Sequence, residues 1–237
     1  MNYSSISDIG RERSSNQDNY SNLITKDYSL FVIADGMGGH NAGDVASKIA
    51  VEAIREYFYN RKEINDCAEV LENAIIYANN KILDKARMDS NYKSMGTTIV
   101  CTLIVDDIAH ICHLGDSRLY RYCKSNNKLE QVTRDDSYIQ SLIDEGVENI
   151  DAQQYKNVIT KALGVDSNPE VNHNEIKVAE GDYLLLTTDG LTNMVEDSEI
   201  EEVIGFDLDL KEAVEILVYM ANSSGGYDNI TMTLVRV

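Results

Sequence analysis

The sequence predicts an α+β fold in which antiparallel strands carry long amphipathic helices. Three observations lead there. Short apolar, β-prone runs are joined by turns too brief for a parallel crossover, as at residues 25–27 and 106–107. Two long stretches, from 42 to about 59 and from 67 to about 86, repeat their apolar residues at helical spacing. Finally, 237 residues with 43% hydrophobic content suffice for one substantial core, so a single domain over 1–237 is expected.

Taken in order, residues 3–10 read as a first strand, followed by the polar loop Arg11-Glu-Arg-Ser-Ser-Asn-Gln-Asp18. Residues 20–24 and 28–34 form a strand pair, and the second strand delivers Asp35 into a turn containing Gly36, Gly38 and Gly39. The first helix lines up Val45, Ile49, Ala53, Ile54 and Phe58, and the second does the same with Val70, Leu71, Ala74, Ile75, Ala78 and Ile82. From 96 to 133 the texture is β again, with strands at 97–105, 108–114, 118–123 and 129–133. Residues 137–168 interrupt this pattern with a short helix ending at Gly146 and the polar Asp151-Ala-Gln-Gln, an excursion where a flap would sit. Strands at 176–179 and 183–188 follow, the latter a leucine run ending in Thr188-Asp189-Gly190, which repeats the design of Asp35-Gly36. Helices at 198–204 and 208–221 and a last strand at 230–237, entered through Tyr227-Asp228-Asn229, complete the chain.

The charge balance narrows the partners. With 40 acidic against 21 basic residues, a net charge of -19 argues against nucleic acid or an anionic membrane, both of which demand a positive surface. The chain shows no basic-then-apolar leader and no apolar run near the roughly 20 residues of a membrane helix, so a cytoplasmic location is expected. Cys67, Cys101, Cys112 and Cys123 form no CxxC pair and are expected to be reduced. His110, Cys112 and His113 cannot all converge on zinc, because neighbouring residues in a strand point to opposite faces.

A carboxylate at the end of a buried strand is costly unless something pairs with it, and no Lys or Arg lies between Lys26 and Lys48 to do so for Asp35. The glycine-rich turn is not a P-loop, because Asp44 and Val45 follow Gly43 where Lys and Ser or Thr would be needed. It is not a dinucleotide fingerprint either, since Asn41 replaces the third glycine. What remains is a set of aspartates at strand ends or tight turns: Asp18, Asp35, Asp116, Asp189 and Asp228. Clustered without cations they would repel and take up protons. Hard divalent ions remove that conflict, and oxygen-only ligands select Mg²⁺ or Mn²⁺. Two such ions about 3.5–4 Å apart can present hydroxide to phosphorus without a side-chain nucleophile. The chain accordingly has no GxSxG elbow and no Cys-x5-Arg cradle. Arg13, near Asp18, is the candidate to hold phosphoryl oxygens.

Arg13-x-x-x-Gln17-Asp18, Ala34-Asp-Gly-Met-Gly-Gly-His40 with Ala42-Gly43, Gly96-Thr-Thr98, Gly115-Asp-Ser-Arg118, Thr133-x-Asp135, Asn157-Val-Ile-Thr-Lys-Ala-Leu-Gly164, Thr188-Asp-Gly190 and Asp228-Asn229 resemble, in order, the motifs of the PP2C-type (PPM) metal-dependent protein serine/threonine phosphatases. The bacterial stand-alone branch is the best match, and the resemblance runs from about residue 3 to the C-terminus.

The resemblance implies a four-layer α-β-β-α sandwich of two antiparallel sheets flanked by helix pairs. It implies hydrolysis of phosphoserine and phosphothreonine by in-line attack of a hydroxide bridging two Mn²⁺ or Mg²⁺ ions. In it Asp35 bridges the ions, the Gly36 carbonyl completes one site, Asp189 and Asp228 hold the other, and Asp18 acts through water. Asp116 with Asp189 matches a third, weaker metal site, Arg13 the phosphate-binding arginine, and residues 137 to about 168 the flap. The implied partners are phosphorylated proteins, substrates of a serine/threonine kinase, with the enzyme a monomer. Two departures stand out: Gln17 replaces a frequent glutamate, weakening one water-mediated contact to metal, and Met37 stands where animal enzymes carry a histidine proposed as general acid. His40 or a metal-bound water is then the proton source. The alternatives are a catalytically silent binding or scaffold module, disfavoured because Asp18, Asp35, Asp189 and Asp228 are all present, and a narrow phosphatase of a partner-switching regulator.

Overall fold

Alternation along the strands decides the layering. In β3 (Ser29–Met37), Leu30, Val32 and Ala34 point to one side and Phe31 and Ile33 to the other, and all five are buried. A strand buried on both faces must lie between two layers. The other central strands repeat the pattern: in β10 (Tyr183–Thr187), Tyr183 and Leu185 face one core and Leu184 and Leu186 another. The structure, a computed structural model, describes residues 1–38, 42–59, 61, 64–148, 150, 155 and 158–237.

Two antiparallel sheets result. One is ordered β2-β3-β5-β6-β9, from β2 (Asp18–Ile24), β5 (Ile99–Val105), β6 (Ile108–Leu114) and β9 (Asn172–Lys177), with the two-residue β4 (Gly96–Thr97) also on β3. The other is ordered β1-β11-β10-β7-β8, from β1 (Asn2–Asp8), β11 (Ile230–Arg236), β7 (Arg118–Cys123) and β8 (Lys128–Gln131). They meet face to face through Phe31, Ile33, Val100, Ile111, Leu184 and Leu186. Helices α1 (Ala42–Tyr59) and α2 (Cys67–Met88) cover the first sheet through Ala46, Ile54, Leu71 and Ile75. On the far side α5 (Asp197–Gly205) and α6 (Leu210–Ser223) cover the second through Ile200, Val214 and Leu217, preceded by the single turn α4 (Asp189–Thr192). This is the four-layer α-β-β-α sandwich.

The differences from the expected boundaries have local causes. β3 does not stop at Ala34: Gly36 and Met37 continue it by pairing with Thr97 and Gly96 of β4. The stretch 97–105 breaks at Thr98, between β4 and β5. β9 begins at Asn172, ahead of any apolar run, because an edge strand pairs along one side only and can keep polar residues.

In the excursion, Ser137 caps α3 (Tyr138–Asp144) by accepting the Gln140 N–H at 3.1 Å. The two ends meet, with Tyr138 N–H donating to Val158 O at 2.8 Å and Thr160 N–H to Asp136 O at 2.7 Å. Leu163 then pairs with Thr97, which ties the returning chain to β4. No residue of α3 is buried. Residues 151–154 and Asn157 of the expected flap lie outside the described residues.

Candidate metal centre

Asp35 stands near the end of β3, directly opposite Asp18 of β2. Two carboxylates on one rung repel, and the sheet's ends bring three more beside them. Burial first, and then the charges of Asp18, Asp189, Asp228 and Asp116, hold the Asp35 carboxyl well above its usual range. The other four aspartates singled out from the sequence are therefore all within electrostatic reach of Asp35. Asp18 is 6% exposed, and burial pushes its carboxyl up to about 6. The Thr188 hydroxyl donates to its Oδ2 at 2.9 Å, whereas its buried Oδ1 has no hydrogen-bond partner. Asp116 is raised to about 6 by burial and then by Asp135.

Arg13, Gln17, Asp35, Gly36, Asp116, Asp189 and Asp228 line one cleft of about 210 Å³. That is below the roughly 300–1,000 Å³ of sites that engulf a small molecule. It suits cations and one small anionic group, with the remainder of any larger ligand outside. Arg13 donates from Nη2 to Asp228 Oδ2 at 2.7 Å. That bond, together with the fields of Asp228, Asp35 and Asp189, raises its guanidinium above the ordinary value against the opposing effect of burial.

Several positioning residues had no role assigned from sequence. Thr98, at the break between β4 and β5, accepts the Asp35 N–H at 3.1 Å and pairs with the Ser117 hydroxyl at 2.7 Å, joining Asp35 to the turn that carries Asp116. Asn229, 4% exposed, holds the N-terminal loop: its Oδ1 accepts Gln17 N–H at 2.8 Å, and its Nδ2 donates to Ile9 O at 2.9 Å and Ser15 O at 3.1 Å. Arg118 grips Asp135 through Nε at 2.9 Å and Nη2 at 2.7 Å and donates from Nη1 to the Tyr120 hydroxyl at 2.9 Å. The motifs contain all these residues, but apart from Tyr120 their partners lie well away in sequence. Two glycines are required by close backbone approach: a Cβ on Gly36 would fall 2.1 Å from Gly43 O, and one on Gly190 1.9 Å from Asn229 O. His40 lies outside the described residues.

The donor set decides which cation fits. Among the described residues, no three His, Cys, Asp or Glu side chains close on one point tightly enough to cage an ion alone. Tetrahedral zinc is ill served by that arrangement. Mg²⁺ and Mn²⁺ complete an incomplete set of carboxylates with several waters, which the crowded carboxylates and the unpartnered Asp18 Oδ1 accommodate.

The protein phosphatase 2C family model matches residues 10–232. Protein phosphatase PhpP of Streptococcus pneumoniae is 34% identical over 243 residues, covering 100% of this chain and 98% of the relative. The solved structure of the S. agalactiae serine/threonine phosphatase superposes with a TM-score of 0.89 at 33% identity, over 100% of this chain and 99% of that one. The catalytic domain of the serine threonine protein phosphatase PstP in complex with two manganese ions gives 0.84 at 31% identity, over 98% and 96% of the two chains.

Proposed function

The chain belongs to the protein phosphatase 2C family and is a protein serine/threonine phosphatase, and on that premise we propose how its acidic cleft works. The observation that carries the reading is the convergence of four aspartates from separate segments on Asp35, in a cleft that Arg13 also lines. Asp35 and the Gly36 carbonyl would hold one Mn²⁺ or Mg²⁺ ion, and Asp189 and Asp228, together with Asp35, would hold a second. Asp18 acts through water, and Asp116 with Asp189 takes a third, weaker ion. The PstP structure with two manganese ions supports at least a pair. Bound there, hard divalent ions supply Lewis acidity and water activated at neutral pH.

The protein's own groups do the positioning. Arg13 turns its planar fork to the phosphoryl oxygens that do not react, which holds the phosphorus in line. Among the described lining residues the only hydroxyl is Thr98, which is held by Asp35 N–H and Ser117, and the aspartates are committed to metal in this reading, so water is the nucleophile and phosphoryl transfer takes one step. Met37 lines the cleft without a proton to give, so the alkoxide leaving group takes its proton from water. His40 is the other candidate donor, and a lowered basic limb in the pH profile of His40→Ala would select it.

The whole chain acts as a single phosphatase domain with residues 137 to about 168 as its flap. It works as a monomer in the cytoplasm on proteins phosphorylated by a serine/threonine kinase. No described helix is long and apolar enough to cross a membrane. Single-turnover hydrolysis of a phosphothreonine peptide with Mn²⁺ is the test. Asp35→Asn and Asp189→Asn should each lose about 10³-fold or more in rate, in line with other losses of electrostatic transition-state stabilisation. Normal rates in either variant would sink the metal-centre reading.

A further inference from the structure

Beside the catalytic cleft runs a second groove of about 330 Å³, and the two share Asp116 and Asp189. One wall is α3, which turns Ile139, Gln140 and Ile143 toward it; the opposite wall is the end of α4, with Thr192 and Asn193. Ile139 and Ile143 are four residues apart and so lie on one face of the helix. No residue of α3 is fully buried: Ile139 is partly covered where it lines the groove, and Ile143 is 53% exposed, so the face keeps apolar surface open to solvent.

Away from Asp116 and Asp189, which the groove shares with the metal cleft, its charged and amide side chains are already engaged. Arg118 is satisfied by both Asp135 oxygens and by Tyr120, and Asp135 also accepts from Gln131 at 2.8 Å. Gln140 Nε2 donates to Asp144 at 3.0 Å, and Asn193 Nδ2 to Asp189 at 2.9 Å. Beyond the aspartates committed to the metal site, a charged guest would find its counter-charges paired, whereas an apolar guest finds two isoleucines. Continuity with the cleft limits where on a substrate the guest can sit, because two extended residues span about 7 Å.

We propose that this groove is a specificity subsite that binds an apolar side chain, of the Leu, Ile, Met or Phe class, within about two residues of the phosphorylated serine or threonine. The assignment rests on the metal-centre reading above, which fixes where the phosphoryl group lies. Ile139 and Ile143 are its specificity-determining residues. Removing one aliphatic side chain from water here raises kcat/KM by about tenfold, the scale on which enzyme pockets discriminate apolar groups.

The experiment compares phosphothreonine peptides that are identical except for Leu or Ser at each of the two positions on either side of the phosphoresidue, at saturating Mn²⁺. At one or more positions Leu should exceed Ser about tenfold in kcat/KM, and Ile139→Ser and Ile143→Ser should each shrink that ratio severalfold. Ile143→Lys should favour a Glu-flanked over a Leu-flanked peptide, a gain that misfolding cannot produce. Equal kcat/KM for Leu and Ser at every position, or a ratio unchanged in both serine variants, overturns the subsite and leaves the catalytic reading standing. Wild-type protein that hydrolyses no peptide at all overturns both.

Discussion

Arg13 and Asp228 are joined at 2.7 Å across the mouth of the cleft, although 215 residues separate them in the chain. The Arg13 side chain is 49% exposed, and ion pairs with such access to water are worth about 0–1 kcal/mol. The contact is weak enough to be exchanged, so Arg13 can leave Asp228 for a phosphoryl group at little cost. Arg13→Ala should therefore raise KM for a phosphothreonine peptide about tenfold and change kcat less. Steady-state kinetics check this, and an unchanged KM removes Arg13 from phosphate binding.

Asp35→Asn should separate stability from activity. The carboxylate is crowded by four others, so deleting its charge relieves repulsion in the metal-free protein while removing the centre of the metal site. In EDTA at pH 8 the variant should melt about 5 °C above the wild type. A melting temperature below wild type would show that Asp35 is already compensated without metal.

The same crowding sets a pH dependence. Asp18 and Asp116 titrate near 6 in the folded protein, and Asp35 is also well above the usual range, against about 3.9 for an unfolded aspartate. A group raised on folding contributes stability that is complete below its unfolded pKa and lost as pH rises through its folded one. The metal-free protein should thus weaken between about pH 4 and 7, with Tm about 5 °C higher at pH 5 than at pH 7.5. Asp182 runs the other way: despite burial, its bonds from Arg121, Lys124 and Ala179 lower its pKa, so its contribution is lost only at more acid pH. Saturating Mn²⁺ should flatten or reverse the difference by stabilising the ionised cluster. Calorimetry in EDTA that finds the higher Tm at pH 7.5 would contradict this.

Asn229→Ala should cost about 2–3 kcal/mol, since a buried amide and three loop groups lose their partners together. That corresponds to a Tm drop of about 5–10 °C. Because the loop it holds carries Arg13, KM should rise as well and stay high at saturating Mn²⁺. Thermal melts and peptide kinetics on one preparation test both effects.

What could be read from the sequence is the part that local chemistry specifies. The apolar run into Asp35 and the leucine run into Asp189 each announce a buried strand ending in a charge, and the helical spacing from 42 to about 59 and from 67 to about 86 marks α1 and α2 to within two residues. The motifs then supplied the four-layer order, which no periodicity alone contains. Roles that depend on distant partners stayed hidden. The tie from Thr98 to Asp35 spans 63 residues, that from Thr188 to Asp18 spans 170, and that from Asn229 to Gln17 spans 212, and nothing local marks their side chains as acceptors or donors. β9 starts earlier than its apolar residues suggest for a related reason: its first residues, Asn172-His-Asn-Glu, look like a loop until β6 is beside them.

Because α3 contributes nothing to any core, its surface is free of the constraint that governs most of the chain. Substitutions on exposed helix positions usually stay within about 0.5 kcal/mol. If α3 reads the substrate as proposed, that preference can drift as the partners of such an enzyme change, while the metal cleft and the two sheets behind it stay as they are. A phosphatase built this way separates what it recognises from what keeps it folded, and its descendants can be retargeted through a single turn of helix.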